Sequence, residues 1–85
     1  MKHLHYTFLL EARDTPGVLV RIAHVFSRRN CNIRALHVQP HADGKWSTIT
    51  IAARQVAQPE QMKYQLEKLI DVQSVTVHEH SLKES

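Results

Sequence analysis

Residues 14–29 read Asp-Thr-Pro-Gly-Val-Leu-Val-Arg-Ile-Ala-His-Val-Phe-Ser-Arg-Arg, a turn signal running straight into an amphipathic stretch. Asp14 is a capping residue, Pro16 suits the first helical position, and Leu19, Ile22, Ala23 and Phe26 recur at helical spacing. The pattern predicts a helix over 16–29. Before it, Tyr6, Phe8, Leu10 and Ala12 alternate with His5, Thr7, Leu9 and Glu11, which is the period of a strand over 4–12 with one buried face. A strand that turns directly into a helix fixes the start of the topology, and the remaining elements follow from it.

After the helix, Asn30 stands where a chain leaving a helix tolerates left-handed backbone, and residues 32–38 become extended. Pro40, Asp43 and Gly44 mark a connection, after which residues 46–52 are rich in Thr and Ile and read as a strand paired to the preceding one. Pro59 opens a second helical stretch with Met62, Leu66, Leu69 and Ile70 on one stripe. Val72, Val75 and Val77 alternate with polar residues as a last strand, and residues 81–85 read as a frayed tail. The order βαββαβ is the α+β, ferredoxin-like pattern: a four-stranded antiparallel sheet in the order 4-1-3-2, with both helices on one face because each crossover is right-handed. Strands two and four are its edges, and an uncovered edge favours pairing with a second copy.

The 85 residues, 42% of them hydrophobic, suffice for a single domain spanning 1–85. Eleven Lys and Arg against eight Asp and Glu give +3, with the basic residues scattered rather than striped, so nothing points to nucleic acid. The RNA-recognition version of this fold also needs aromatics along the central strands, where strand three offers only Trp46. No apolar run is long enough for a membrane span or a signal core, and a cytoplasmic protein is expected. The one cysteine, Cys31, has no partner for a disulfide or a zinc motif and reads as a small core residue.

No phosphate loop or catalytic set is recognisable, since Gly17 and Gly44 are the only glycines. Seven histidines are many for this length. Alternation places His3 and His5 on the open side of strand one and His78 and His80 on the open side of strand four. A metal-binding patch of these four is geometrically accessible if the register brings them together, although solvated strand residues are the plainer reading. The loop before the first helix carries more chemistry. A helix start exposes unpaired amides and partial positive charge, which suits a carboxylate, and Gly17 has no side chain to hold a ligand away. On its own this is half an amino-acid site.

The blocks Asp14-Thr15-Pro16-Gly17-Val18-Leu19, Ile22-Ala23, Phe26-Ser27-Arg28-Arg29, Asn32-Ile33 and Leu36 with Val38 resemble the ACT domain of acetolactate synthase small subunits. Glu60-Gln61, Gln65-Leu66, Lys68-Leu69 and Asp71-Val72 resemble that family's second helix and its exit. The resemblance covers almost the whole chain and is closest to the short, single-domain form. It implies a non-catalytic regulatory subunit that activates the catalytic large subunit and mediates feedback inhibition by a branched-chain amino acid, valine foremost. It further implies an effector site of Asp14, Pro16, Gly17, Val18 and Leu19, completed by Asn32 and Ile33 of a neighbouring copy in a homodimer or higher oligomer. Thiamine diphosphate, FAD and Mg are then expected on the catalytic partner and no cofactor on this chain. Against the family pattern, Asp14 stands in place of a common Asn, Asn30 of a glycine and Cys31 of an aromatic. The alternative is a free-standing ACT or ferredoxin-like module that binds another small molecule or a metal without a synthase partner.

Overall fold

The computed structural model describes residues 5–80. The elements run β1 (His5–Arg13), α1 (Val18–Arg28), β2 (Asn32–Pro40), β3 (Trp46–Arg54), α2 (Pro59–Glu67) and β4 (Val72–His80). The four strands form one antiparallel sheet in the order β2-β3-β1-β4, which is the expected split βαβ topology. The expected frayed tail, 81–85, lies outside the described residues, as does His3. Among the described residues no helix is long and apolar enough to cross a membrane.

The period of two along β1 decides which face is buried. Phe8, Leu10 and Ala12 are fully buried, and their partners across β3 are Ile51, Ile49 and Ser47 on the same face. Onto this face α1 places Val18, Ile22 and Phe26, one residue per turn, and α2 places Met62 and Leu66. The rings of Phe8 and Phe26 meet edge to face at 5.1 Å and 89°, tying the central strand to the last turn of α1. The opposite face of the sheet is open, and Leu9 lies there.

Three expectations about the helices are corrected. First, α1 begins at Val18 rather than at Pro16. Pro16 and Gly17 are the two central residues of a turn closed by the Val18 amide donating to the Thr15 carbonyl at 3.4 Å. Gly17 has φ 87° and ψ −15°, the geometry of the third residue of a type II turn, where proline precedes and glycine is favoured. Pro-Gly therefore turns the chain before the helix instead of starting it. Second, Leu19 and Ala23 face outward, and Val18 takes the core position in their place. Third, Ile70 is 92% exposed. The second helix stops at Glu67 with Lys68 as its C-cap, so the helical stripe ends before Ile70 is reached, while Leu69 still packs against the core.

The exit from α1 follows the sequence closely. Asn30 takes φ 58°, its amide donates to Ser27 O at 3.1 Å and the Cys31 amide donates to Phe26 O at 3.0 Å. These are the two bonds of a Schellman motif, and the apolar contact that accompanies it comes from Cys31, which packs against the core. Burial pushes the Cys31 thiol above its ordinary range, an effect that the nearby Arg29 guanidinium partly opposes.

Both edge strands are irregular. One extra residue interrupts β2 between Ile33 and Ala35, and β4 has a register shift where Glu11 pairs with Ser74 and Ala12 with Val72. Neither helix covers β2 well: Leu36, which faces the helix side, remains 50% exposed.

Two outcomes are expected. Gly17→Ala places a side chain at positive φ and should lower unfolding free energy by about 1–2 kcal/mol, read from urea denaturation. Because its thiol is held protonated by burial, Cys31 should be alkylated by iodoacetamide at about pH 8.5 more slowly than free cysteine, with the difference abolished in urea.

Candidate functional site

The loop that joins β1 to α1 hangs on both of its flanks. Arg13 N donates to Asp71 O at 2.8 Å and Asp14 N donates to Lys45 O at 2.9 Å, so the backbone entering the loop is fixed between the turn before β4 and the turn before β3. The N-terminus of α1 has no side-chain cap and no acidic residue in its first turn. The Val18 amide is turned onto the Thr15 carbonyl, and the amides that follow it have no side-chain cap, in the region of partial positive charge. Asp14 is exposed, and its carboxylate has no hydrogen-bond or ion-pair partner among the described residues.

Within that loop the candidate residues are not equivalent. Asp14, Pro16 and Gly17 are exposed, and Leu19 is 37% exposed, all within reach of a ligand. Val18 is 5% exposed and belongs to the core. Asn32 is exposed and Ile33 half-buried. These last two lie at the far end of the sheet: Asn32 pairs with Arg54, whereas Arg13, next to the loop, pairs with Trp46. The eight steps of β3 between Trp46 and Arg54 correspond to about 26 Å. One chain therefore does not bring the two halves of the candidate site together.

Two surface depressions lie at that same far end. One, about 410 Å³, sits between the end of α1 and the start of α2, with Arg28, Arg29, Cys31 and Met62 in its wall. The other, about 520 Å³ and wide open, is lined in part by Asn30, Asn32 and Ile33. Neither includes the Asp14–Leu19 loop.

The described histidines of the set, His5, His78 and His80, fall where alternation puts them. His5 is directly across from His80, and Thr7 from His78, all on the open face. Two of these rings are engaged in other ways: Arg54 Nε donates to His5 Nε2 at 3.1 Å, and the His80 ring hydrogen-bonds the Thr7 hydroxyl. No group of three His, Cys, Asp or Glu side chains among the described residues is arranged to hold a metal ion.

Two constellations escaped the sequence reading. Arg21 and Asp71, fifty positions apart, form an ion pair that links α1 to the turn before β4. On the open face, Thr48 Oγ1 donates to both carboxylate oxygens of Glu11 (3.1 and 2.9 Å), and His41 Nε2 lies 2.9 Å from that hydroxyl and 3.0 Å from Glu11 Oε1. Only the facing of Glu11 and Thr48 was accessible from strand alternation; the ion pair depends on tertiary placement.

Comparison with known proteins bears on this geometry. Residues 8–74 match the model of the AHAS small subunit-like ACT domain. An acetolactate synthase small subunit from Mycobacterium leprae is 41% identical over 75 residues, which are 87% of this chain and 44% of that protein. One from Buchnera aphidicola is 42% identical over 79 residues, covering 89% and 47%. This chain thus spans about half the length of the curated relatives it matches. Among solved structures, the ACT domain of GTP pyrophosphokinase from Chlorobium tepidum superposes with a TM-score of 0.71 at 19% identity, covering 91% of this chain and all of that one, a likeness of fold. On the family match across most of its length and the identity to these relatives, the chain belongs to the AHAS small subunit-like ACT domains.

Proposed function

We propose that the chain serves as a regulatory subunit of acetolactate synthase, binding a branched-chain amino acid between two copies of itself and setting the activity of a catalytic large subunit. The observation that carries the shared site is the separation just described. The glycine loop and Asn32-Ile33 belong to opposite ends of one sheet, so a site built from both would draw one half from a second chain.

An antiparallel pairing of two β2 edges would produce this arrangement. In such a pair the start of the partner's strand lies beside the Pro40 end of this one, and Pro40, like the Asp14–Gly17 loop, is at the Trp46 end of β3. The ligand carboxylate would then face the uncapped amides of α1 over Gly17, its ammonium would face Asp14, and Leu19 would border the branched side chain with the partner copy's Asn32 and Ile33 closing the site. Because the ligand touches both copies, it binds the paired state more tightly than the separated one, and that difference is what allows it to shift the assembly. A coupling of about 1–3 kcal/mol is enough for feedback control. Thiamine diphosphate, FAD and magnesium would reside on the large subunit, and this chain would act without catalysing a step.

Calorimetry against valine, leucine, isoleucine and serine tests the reading. A branched-chain amino acid is expected to bind, and sedimentation is expected to show a dimer at micromolar concentration. Asp14→Asn should weaken binding by about 1–2 kcal/mol through loss of a charge-assisted hydrogen bond. A monomer that binds valine would overturn the shared site. Failure both to bind any of the four and to copurify with a thiamine-dependent large subunit would overturn the function and favour the free-standing module.

A further inference from the structure

The Gly17 loop has a cation beside it that the family resemblance did not bring forward. Arg21 lies four residues after Gly17, and helical side chains lean toward the N-terminus of their helix, so its guanidinium returns over the turn that contains the glycine. The two terminal nitrogens of that guanidinium have different neighbours. Nη2 is held by Asp71 Oδ2, while Nη1 lies 3.4 Å from where a Cβ on Gly17 would be.

Asp71 is itself fixed. Its side chain is 18% exposed, and its backbone carbonyl accepts the Arg13 amide at the end of β1. The planar fork of an arginine cannot turn freely once one nitrogen is anchored, so Asp71 sets the direction in which Nη1 points. The Arg21 side chain remains 46% exposed as a whole, and Nη1 is the nitrogen on the Gly17 side of the fork.

We infer that Arg21 recognises the free carboxylate of the effector and that Asp71 is the residue that positions it, an inference that rests on the reading of the Gly17 loop as the effector site. The division of labour is chemical. Backbone amides at a helix start already favour a carboxylate through the partial positive charge there, and a guanidinium adds a charge-assisted bond that a neutral amide cannot return in full. Arg21 thus sharpens the demand for an acid, and the ligand class is α-amino acids with an unmodified carboxyl group in preference to their amides and esters.

The test compares L-valine with L-valinamide by calorimetry on the full chain. The two share the branched side chain and the amino group and differ only in the group that Arg21 would read. The wild-type chain is expected to prefer valine, and Arg21→Gln is expected to reduce that preference by about tenfold. Asp71→Asn breaks the same ion pair but keeps the guanidinium, so it should weaken binding of valine yet retain most of the preference for it over the amide. A wild-type preference persisting in Arg21→Gln would overturn the inference, as would an equal loss of preference in both variants, which would mark the pair as structural. Arg21→Met supplies the same reading if the glutamine variant does not fold. A wild-type chain that binds no branched-chain amino acid would instead remove the underlying effector reading, an outcome distinct from an unchanged ratio in a chain that binds.

Discussion

The whole molecule takes its bearings from β1, the strand that is flanked on both sides. Its backbone is paired residue by residue with β3 along one edge and, up to the shift at Glu11, with β4 along the other, so its alternation sets the inward face for three strands at once. Moving that register by one residue would expose Phe8, Leu10 and Ala12 together and leave α1 and α2 nothing to pack upon. The turn at Thr15–Val18 depends on the same strand, because the last residue of β1 is tethered to Asp71 before the chain reverses. The Thr15–Val18 turn, with Gly17 at positive φ, is thus attached to the strand of the domain that is paired on both sides.

This explains which features could be read from the sequence. Alternation in β1, the Asn30 exit from α1 and the strand order were legible because each rests on local backbone preferences or on side-chain periods. The helix starts were less so. Pro16-Gly17 satisfies two rules, helix opening and type II turn, and only the positive φ of Gly17 decides between them. Ile70 belongs to the right period but comes after the helix has ended, and a period does not announce its own termination. Gln55, at φ 62° just after β3, is a left-handed residue without glycine or asparagine to signal it.

The candidate site was legible in a different proportion. The loop and Asn32 were named from the sequence as parts of one site, and the structure places them at opposite ends of the sheet. Val18, by contrast, sits in the core instead of at the rim, since the start of α1 lies two residues later than its proline suggests. The Arg21–Asp71 pair was out of reach altogether: nothing in a sequence separates two oppositely charged residues fifty positions apart from any other such couple, and only the fold makes them neighbours.

The two borders of the sheet differ in what they offer to water. Along β4 the exposed side chains are Gln73, Ser74, Thr76, His78, Glu79 and His80, all polar, whereas β2 leaves Leu36 half uncovered on the helix side. A sheet that was adhesive along both borders could add copies without limit and grow as a ribbon. Under the proposed pairing of β2 edges, apolar surface at one border only would leave association saturated once two such borders had met.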